Sequence, residues 1–308
     1  MRTFFLVLVM ALVIVRPGYA DLDSAVDALK EGDYSTALEK FLPLADEGDP
    51  IAQYNLGYMN TSGLGIPINY HKGCDWYEKS ARQGIAHAQH SIGACFYRGK
   101  GRPQDYSQAI SWYEKAMAQG FPKSTCALGE MYLHGEGVPR DQEQGADMCL
   151  WAAKKGEPTA QLTVGQYYLR NKDFASAGKW LIKAAEQGLS KAQFNIGLMY
   201  RNGDGVAKND KSASIWFKKA ALQGHGRAML MLGNHYFTSS MNEQEKTIDP
   251  DIAGESYFWL KLSVNMLNDE ISRNDAVERS AFLKSIFSAD FVASLDRRVE
   301  EWQPQSSP

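Results

Sequence analysis

Two phased series of glycines constrain the fold of this 308-residue chain more than any other feature. The first series closes six apolar segments at intervals of 36, 36, 36, 32 and 36 residues: Gly48, Gly84, Gly120, Gly156, Gly188 and Gly224. The second series lies nine residues further along and keeps the same intervals: Gly57, Gly93, Gly129, Gly165, Gly197 and Gly233. A fixed period of this length indicates stacked supersecondary units, each contacting its neighbours, rather than one compact core.

Each period reads as a helix, a turn and a second helix. The first helix follows the pattern Ala-x-x-x-(Leu/Ile/Val)-Gly-x-x-aromatic, as in Ala192, Ile196, Gly197 and Tyr200. Spacings of three and four residues place these side chains on one helical face. Glycine inside a helix costs roughly 1 kcal/mol relative to alanine. The repeated glycine therefore predicts that another helix passes too close for a Cβ atom.

The second helix of each period follows (Ala/Gly)-x-x-Trp-aromatic-x-Lys-Ala. Four tryptophans share its central column: Trp76, Trp112, Trp180 and Trp216. Such a column is typical of a packing ridge between stacked helices, and a ladder that stacks on a ligand is the alternative interpretation.

Most of the turns contain Gly-x-Gly, as in Gly99 and Gly101. A helix that ends in aromatic residues precedes each pair, whereas a phosphate-binding loop follows a strand. Left-handed helix C-caps are therefore the favoured interpretation. An Asn or Asp follows each turn and is predicted to cap the next helix: Asn69, Asp105, Asp141 and Asn209, with Asp33 and Asp173 where the turn is shorter.

Together these motifs resemble the Sel-1-like repeat, a relative of the tetratricopeptide repeat. The resemblance covers residues 21–263 and is clear in Ala127-Leu128-Gly129, Tyr132 and Gly135-x-Gly137-Val138. In that unit, however, Met148 stands where the pattern has tryptophan. The resemblance implies an all-α fold, a right-handed α-solenoid superhelix of stacked antiparallel helix pairs with a C-terminal capping helix.

The repeats predict the following organisation of the chain. The units are 21–48, 49–84, 85–120, 121–156, 157–188, 189–224 and 225–263, followed by a helical cap at 264–302 and a flexible tail at 303–308. Residues 239–250 replace the compact turn in the last unit, and a long insertion of this kind is a candidate functional loop. Within the cap, Ser288 is predicted to begin a helix that contains Phe291, Val292, Leu295 and Val299, because a solenoid must cover its last apolar face.

The N-terminus has the three parts of an export signal. Arg2 is followed by an apolar run from Phe4 to Val15, and Gly18-Tyr19-Ala20 provides small residues at a cleavage site. The run is shorter than the roughly 20 residues of a membrane-spanning helix. We therefore predict a signal peptide at 1–20, cleaved after Ala20, and a periplasmic or secreted protein without a stable membrane span; an uncleaved anchor is the alternative.

Four cysteines remain in the predicted exported chain, and an oxidising compartment permits disulfides. Cys126 and Cys149 lie nearly symmetrically about the turn of one unit, and Cys74 and Cys95 lie symmetrically about Gly84. Facing positions on neighbouring helices would meet the distance that a bridge requires. Symmetry does not show that the side chains face each other, so two bridges and four buried thiols are both open.

No catalytic or metal-binding signature stands out. His87 and His90 share a helix face, but no adjacent Cys or carboxylate completes a metal site. The chain contains no His-Glu-x-x-His and no Gly-x-Ser-x-Gly. With 33 Lys+Arg against 36 Asp+Glu, it has no basic excess for nucleic acid. We therefore predict no enzyme activity, no cofactor, no metal and no nucleic-acid partner.

The resemblance implies a concave face lined by the first helices of the units, where such proteins bind partner proteins or peptides. The residues of these helices outside the repeat pattern are the candidate contacts: Tyr54, Asn55, His87, His90, Lys123, Gln161, Phe194, Asn195 and Arg227. We predict an exported scaffold or adaptor, in envelope signalling or in host contact. An envelope enzyme acting on cell-wall or β-lactam-like material and a structural spacer are the alternatives; the sequence predicts neither the partner nor the oligomeric state.

Overall fold

The computed structural model describes residues 18–242 and 247–305. They divide into two compact units. The first extends to Met131 and includes Gly135–Arg140, and the second comprises Tyr132–His134 and the chain from Asp141 onward. Both are built of packed helix pairs, so the all-α solenoid class is confirmed.

The first unit stacks helix pairs joined by short turns. Its helices are α1 (Gly18–Glu31), α2 (Tyr34–Asp46), α3 (Pro50–Ser62), α4 (Tyr70–Arg82), α5 (Ala86–Arg98), α6 (Tyr106–Ala118) and the start of α7 (Pro122–His134). Phe41, Leu56 and Ile92 are fully buried between the pairs. The predicted signal peptide lies outside the described residues except for 18–20, which form the start of α1.

The second unit also begins with helix pairs and then departs from them. Its helices from α8 onward are α8 (Gln142–Lys154), α9 (Pro158–Arg170), α10 (Phe174–Glu186), α11 (Ser190–Asn202), α12 (Asp210–Leu222), α13 (Gly226–Ser240), α14 (Pro250–Met266), α15 (Glu270–Ile286) and α16 (Ala289–Glu301). Among the described residues of the insertion, β1 (Met241–Asn242) pairs antiparallel with β2 (Thr247–Ile248). None of the described helices is long and apolar enough to cross a membrane.

The interior glycines have the predicted cause. A Cβ added to Gly197 would lie 2.5 Å from Cε1 of Phe217, which belongs to the second helix of the same repeat. A Cβ on Gly93 would lie 2.7 Å from Cε1 of Tyr113 in the same way. Real Cβ atoms do not make contacts this short, so each glycine lets an aromatic ring of the paired helix lie against the backbone.

The predicted caps are also present. Gly99 ends α5 in the left-handed region with φ 66°, and the Asp105 carboxylate accepts from the Gln108 backbone N–H at 3.0 Å to begin α6. Ser288 caps α16 as the sequence predicted. Each cap satisfies backbone groups that a helix terminus leaves unpaired.

Pairs of glutamines connect successive repeats, a feature that the sequence analysis did not predict. Gln89 on α5 donates to the Ala81 carbonyl at 3.3 Å and accepts from Gln119 at 2.8 Å. Gln119 also donates to the Gly84 carbonyl at 2.9 Å. The same arrangement recurs at Gln53 with Gln83 in the first unit, and at Gln161 with Gln187 and Gln193 with Gln223 in the second. It satisfies carbonyls where one repeat turns into the next.

The cysteines are oxidised. Cys74 on α4 is bonded to Cys95 on α5, with Cα atoms 6.4 Å apart, so this bridge ties one repeat to the next. Cys126 and Cys149 are disulfide-bonded as well, and no cysteine in the described residues is free. Of the two possibilities that the sequence left open, the structure has bridges rather than thiols.

The end of the chain packs against the last repeats. Leu260, Leu283 and Leu295, from α14, α15 and α16, share one buried cluster. After α16, the backbone N–H of Gln305 donates to the Leu222 carbonyl at 2.8 Å. α14 thus pairs with α13, and α15 and α16 pack against α14 at the end of the array, where a solenoid needs a cap.

Candidate functional site

A line of ring contacts joins the first helices of three successive repeats in the first unit. The Tyr54 ring on α3 lies 5.7 Å from Tyr77 and 5.9 Å from His87 on α5. His87 in turn lies 4.6 Å from Phe121, at the start of α7, edge to face. His87 is exposed, whereas Tyr54 and Phe121 are half-buried. We call Tyr54, His87, His90 and Phe121 the aromatic face.

His90 forms the inner edge of the aromatic face. Its ring lies 5.8 Å from Phe121 and 5.4 Å from Tyr113, and its Nδ1 is hydrogen-bonded to Ser124 Oγ at 3.0 Å. Burial lowers the pKa of His90 to about 3, and the nearby charges of Lys123 and Arg98 add to the effect. The imidazole is therefore neutral at physiological pH and acts as a packed ring.

The contact between Ser124 and His90 has the reach of a nucleophile and its base. Ser124 is 0% exposed, however, so a substrate has no access to its hydroxyl. The described part of the chain also contains no group of three or more His, Cys, Asp or Glu side chains placed to hold a metal ion.

A second line of rings lies in the second unit. Phe194 on α11 stacks on His225 with centroids 4.6 Å apart and planes at 26°, and it lies 5.7 Å from Phe217. The His225 Nδ1 accepts from the Ala228 backbone N–H at 3.2 Å, which caps α13. Burial is the main cause that lowers the pKa of His225.

Two clefts flank these rings within the second unit. One, of about 640 Å³, is lined by Lys191, His225, Arg227 and Asp269 among others. The other, of about 250 Å³, has Phe217 in its wall together with Arg201, Asp210 and Asn234. Open clefts with an aromatic wall and a few polar groups are common at binding sites.

The structure separates the residues predicted from sequence. Tyr54, His87 and His90 meet in the aromatic face, and Lys123 is exposed in the first turn of α7, two residues after Phe121. Asn55 donates to the Ile51 carbonyl of its own helix at 2.9 Å. Gln161 is buried and hydrogen-bonded to Ala153 and Gln187, so it is not accessible to a partner.

In the second unit, Arg227 lines the large cleft, and Phe194 stacks on His225, which also lines it. Asn195, next to Phe194 in the chain, is half-buried. Sequence reasoning missed Phe121, Arg201 and Asn234. A signal for Phe121 was present, since it follows Gly120 as His225 follows Gly224. Arg201 and Asn234 gave no such signal because their cleft is formed by three separate helices.

Comparison with known proteins identifies the repeats. The family model "Sel1 repeat" matches residues 50–85, 86–121, 122–157, 160–189 and 190–225. These matches agree with the five central predicted units to within a few residues, and the outer units, 21–48 and 225–263, lie largely outside them.

Solved structures give the same result. A protective antigen of uropathogenic Escherichia coli with an SLR fold has a TM-score of 0.70 and 25% identity over 92% of this chain, which spans 60% of the antigen's length. A Sel1 repeat protein from Oxalobacter formigenes has a TM-score of 0.64 and 25% identity, with 81% of this chain and 98% of that one covered. Yeast Tom70, at 14% identity and a TM-score of 0.55 over 97% of this chain and 70% of its own, shares the fold alone. The chain belongs to the Sel1 repeat family.

Proposed function

We propose that this protein is an exported, non-enzymatic scaffold that binds a partner protein or peptide on the aromatic face of its first unit. Sel1 repeat proteins are generally protein-interaction scaffolds. The observation that supports this site is the line of contacts from Tyr54 through His87 to Phe121, at 5.9 and 4.6 Å. Aromatic side chains are enriched at protein interfaces, and tyrosine is among the residues that contribute most to binding energy there.

The rigidity of the aromatic face supports the same proposal. The repeats that carry Tyr54 and His87 are held together by the hydrogen bonds of Gln89 and Gln119 to the Ala81 and Gly84 carbonyls and by the Cys74–Cys95 bridge. His90 is locked by its contacts with Ser124 and Tyr113. A surface organised before binding loses less conformational entropy when the partner arrives.

Export is the second part of the proposal. The disulfides fit an oxidising compartment, and residues 2–20 have the pattern of a cleaved signal. The antigen that this chain resembles is described as protective, which fits a protein presented outside the cytoplasm. We place this chain in the periplasm or outside the cell.

Site-specific photocrosslinking in the producing cell tests the proposal. A photoreactive amino acid replaces the exposed His87 on the aromatic face or, as control, the exposed Ser111 on the second helix α6. We expect one dominant protein adduct from position 87, absent at 111 and reduced by Phe121→Ala. Equal capture from both positions, or none from position 87, would overturn the proposed site.

A further inference from the structure

The two clefts described above lie along the same pair of helices in the second unit, α11 and α13. The half-buried Phe194 ring lies between the two clefts, 5.7 Å from the buried Phe217 ring. His225 connects Phe194 to the large cleft, and Phe217 lines the small one. We call this surface the α11–α13 groove; it has an apolar centre and a cleft at each end.

Cationic side chains lie at the first end of the groove. Lys191 and Arg227 line the large cleft, each in the first turn of its helix and each exposed. Arg227 lies 3.6 Å from Asp269, with 64% of its side chain exposed, and an exposed pair at that distance contributes little free energy. Among the described residues, Lys191 has no carboxylate within ion-pair distance. This end can therefore take up a further negative charge.

Another cation lies at the second end. The Arg201 guanidinium is 6.0 Å from the Phe217 ring and contacts Met231 Sδ. Its side chain has no ion-pair partner within residues 18–242 and 247–305. A guanidinium held over a ring keeps its planar edge available for a carboxylate.

An unsatisfied acceptor lies in the wall of the same cleft. Asn234 donates through Nδ2 to Asp275 at 3.3 Å, whereas its Oδ1 is buried without a hydrogen-bond partner. Buried polar atoms are almost always paired, so an orphan in the wall of a cleft indicates a place for a donor such as a peptide N–H.

The spacing of the cations defines the ligand. Lys191 and Arg201 are ten residues apart on α11, or about 15 Å along the helix axis at about 1.5 Å per residue. An extended chain covers this length in four to five residues at about 3.3 Å each. A single small ion would engage one end only, whereas an extended segment reaches both ends and lies across the Phe194 ring between them.

We propose that the α11–α13 groove binds an extended acidic peptide segment whose two carboxylates, four to five residues apart, flank an apolar side chain. One carboxylate pairs with Arg201, and the other pairs with Lys191 and Arg227. The apolar side chain packs on Phe194. The inference rests on the proposed function, that the protein binds proteins or peptides, and adds a site with its own chemistry.

Charge in the groove agrees with this ligand. Three cations line the two clefts, Lys191, Arg201 and Arg227, against two carboxylates, Asp210 and Asp269. The whole chain has the opposite sign, with a net charge of −3. The excess of positive charge is therefore local to the groove, and it favours association with an acidic segment.

Selection of random twelve-residue peptides displayed on phage against the purified protein tests the proposal. We expect enrichment of peptides with two acidic residues four to five positions apart and an apolar residue between them. The best fluorescein-labelled peptide is then measured by fluorescence anisotropy. Arg201→Gln and Lys191→Gln are each expected to raise Kd about three- to tenfold, and Lys218→Gln, an exposed lysine outside the groove, to change it less than twofold.

A charge swap gives the sharper result. The Arg201→Glu variant is expected not to bind the acidic peptide. It is expected to bind instead a peptide in which lysine replaces one of the two acidic residues. If the selected peptides carry no pair of acidic residues, the inference is overturned. It is also overturned if Arg201→Gln and Lys191→Gln leave the Kd of the peptide unchanged. Loss of binding in His87→Ala alone would place the peptide on the aromatic face, so the proposed function would stand while this inference failed. Binding that needs Arg201 without any crosslink from position 87 would support the groove and overturn the aromatic face.

Discussion

The imidazole of His87 lies 4.6 Å from the ring of Phe121, edge to face, although the two residues belong to successive repeats. The contact exists because Phe121 follows the glycine that closes one unit and so lies at the start of the next first helix. A stacked array thus places side chains from distant parts of the sequence side by side at regular intervals. The repeat period generates the surface as well as the core.

Gly197→Ala is expected to destabilise the protein by about 1–3 kcal/mol, because its Cβ would overlap the Phe217 ring at 2.5 Å. Gly178→Ala is the matched control, since its Cβ would meet only the flexible end of Met199 at 3.3 Å. Alanine favours a helix over glycine by up to about 1 kcal/mol. Urea unfolding should therefore show a loss for the first variant and no loss for the second; equal losses would contradict the close approach of α12 to α11.

Removal of the Cys74–Cys95 bridge is expected to cost about 3 kcal/mol, as the chain-entropy relation gives for a loop with a sequence separation of 21 residues. The double substitution Cys74→Ala and Cys95→Ala avoids leaving a free thiol and is compared with the parent by urea unfolding. Before reduction, the denatured protein should react with no maleimide, because no described cysteine is free. Reaction at all four thiols would contradict the bridges.

The free energy of unfolding is expected to fall as the pH is lowered, because His90 must take up a proton on unfolding. Its pKa is about 3 in the folded protein, against 6.5 for an unperturbed side chain. Between these values the unfolded chain binds a proton that the folded protein does not, so the free energy of unfolding rises with pH. From pH 7.5 to pH 5 the loss from this group is about 2 kcal/mol.

His90→Gln removes the titrating group and provides the comparison for this pH effect. Urea unfolding at both pH values should show a loss about 2 kcal/mol smaller in the variant than in the parent. Parallel pH profiles for the two proteins would show that His90 is solvated and titrates normally.

Processing at Ala20 gives a direct test of export. Intact mass spectrometry of the protein recovered from the periplasm or medium should find a chain that begins at Asp21 and carries its cysteines as disulfides. Recovery of a chain with residues 1–20 intact would show that the apolar run from Phe4 to Val15 anchors the protein instead.

The sequence predicted those parts of the fold that depend on repeated local chemistry. Gly93 and Gly197 indicated helices in close contact, and Asp105 and Asn209 indicated caps. These features depend on spacings within one repeat, which periodicity shows directly.

Contacts between repeats were harder to predict. Gln89 donates to the Ala81 carbonyl of the preceding repeat, and nothing in the local pattern distinguishes its buried amide from a solvated one. For this reason the sequence predicts Gln161 as a surface contact although it is buried. Arg201 and Asn234 were missed because a cleft between three helices depends on side-chain packing that one sequence does not reveal.

The affinity of the purified crosslinked partner tests the central claim most directly. Titration against the parent protein, His87→Ala and Ser111→Ala separates a contact in the aromatic face from a general effect on folding, since both positions are exposed. We predict that His87→Ala raises Kd at least tenfold, which is about 1.4 kcal/mol, and that Ser111→Ala changes it less than twofold. Equal affinity for all three proteins would contradict binding at the aromatic face.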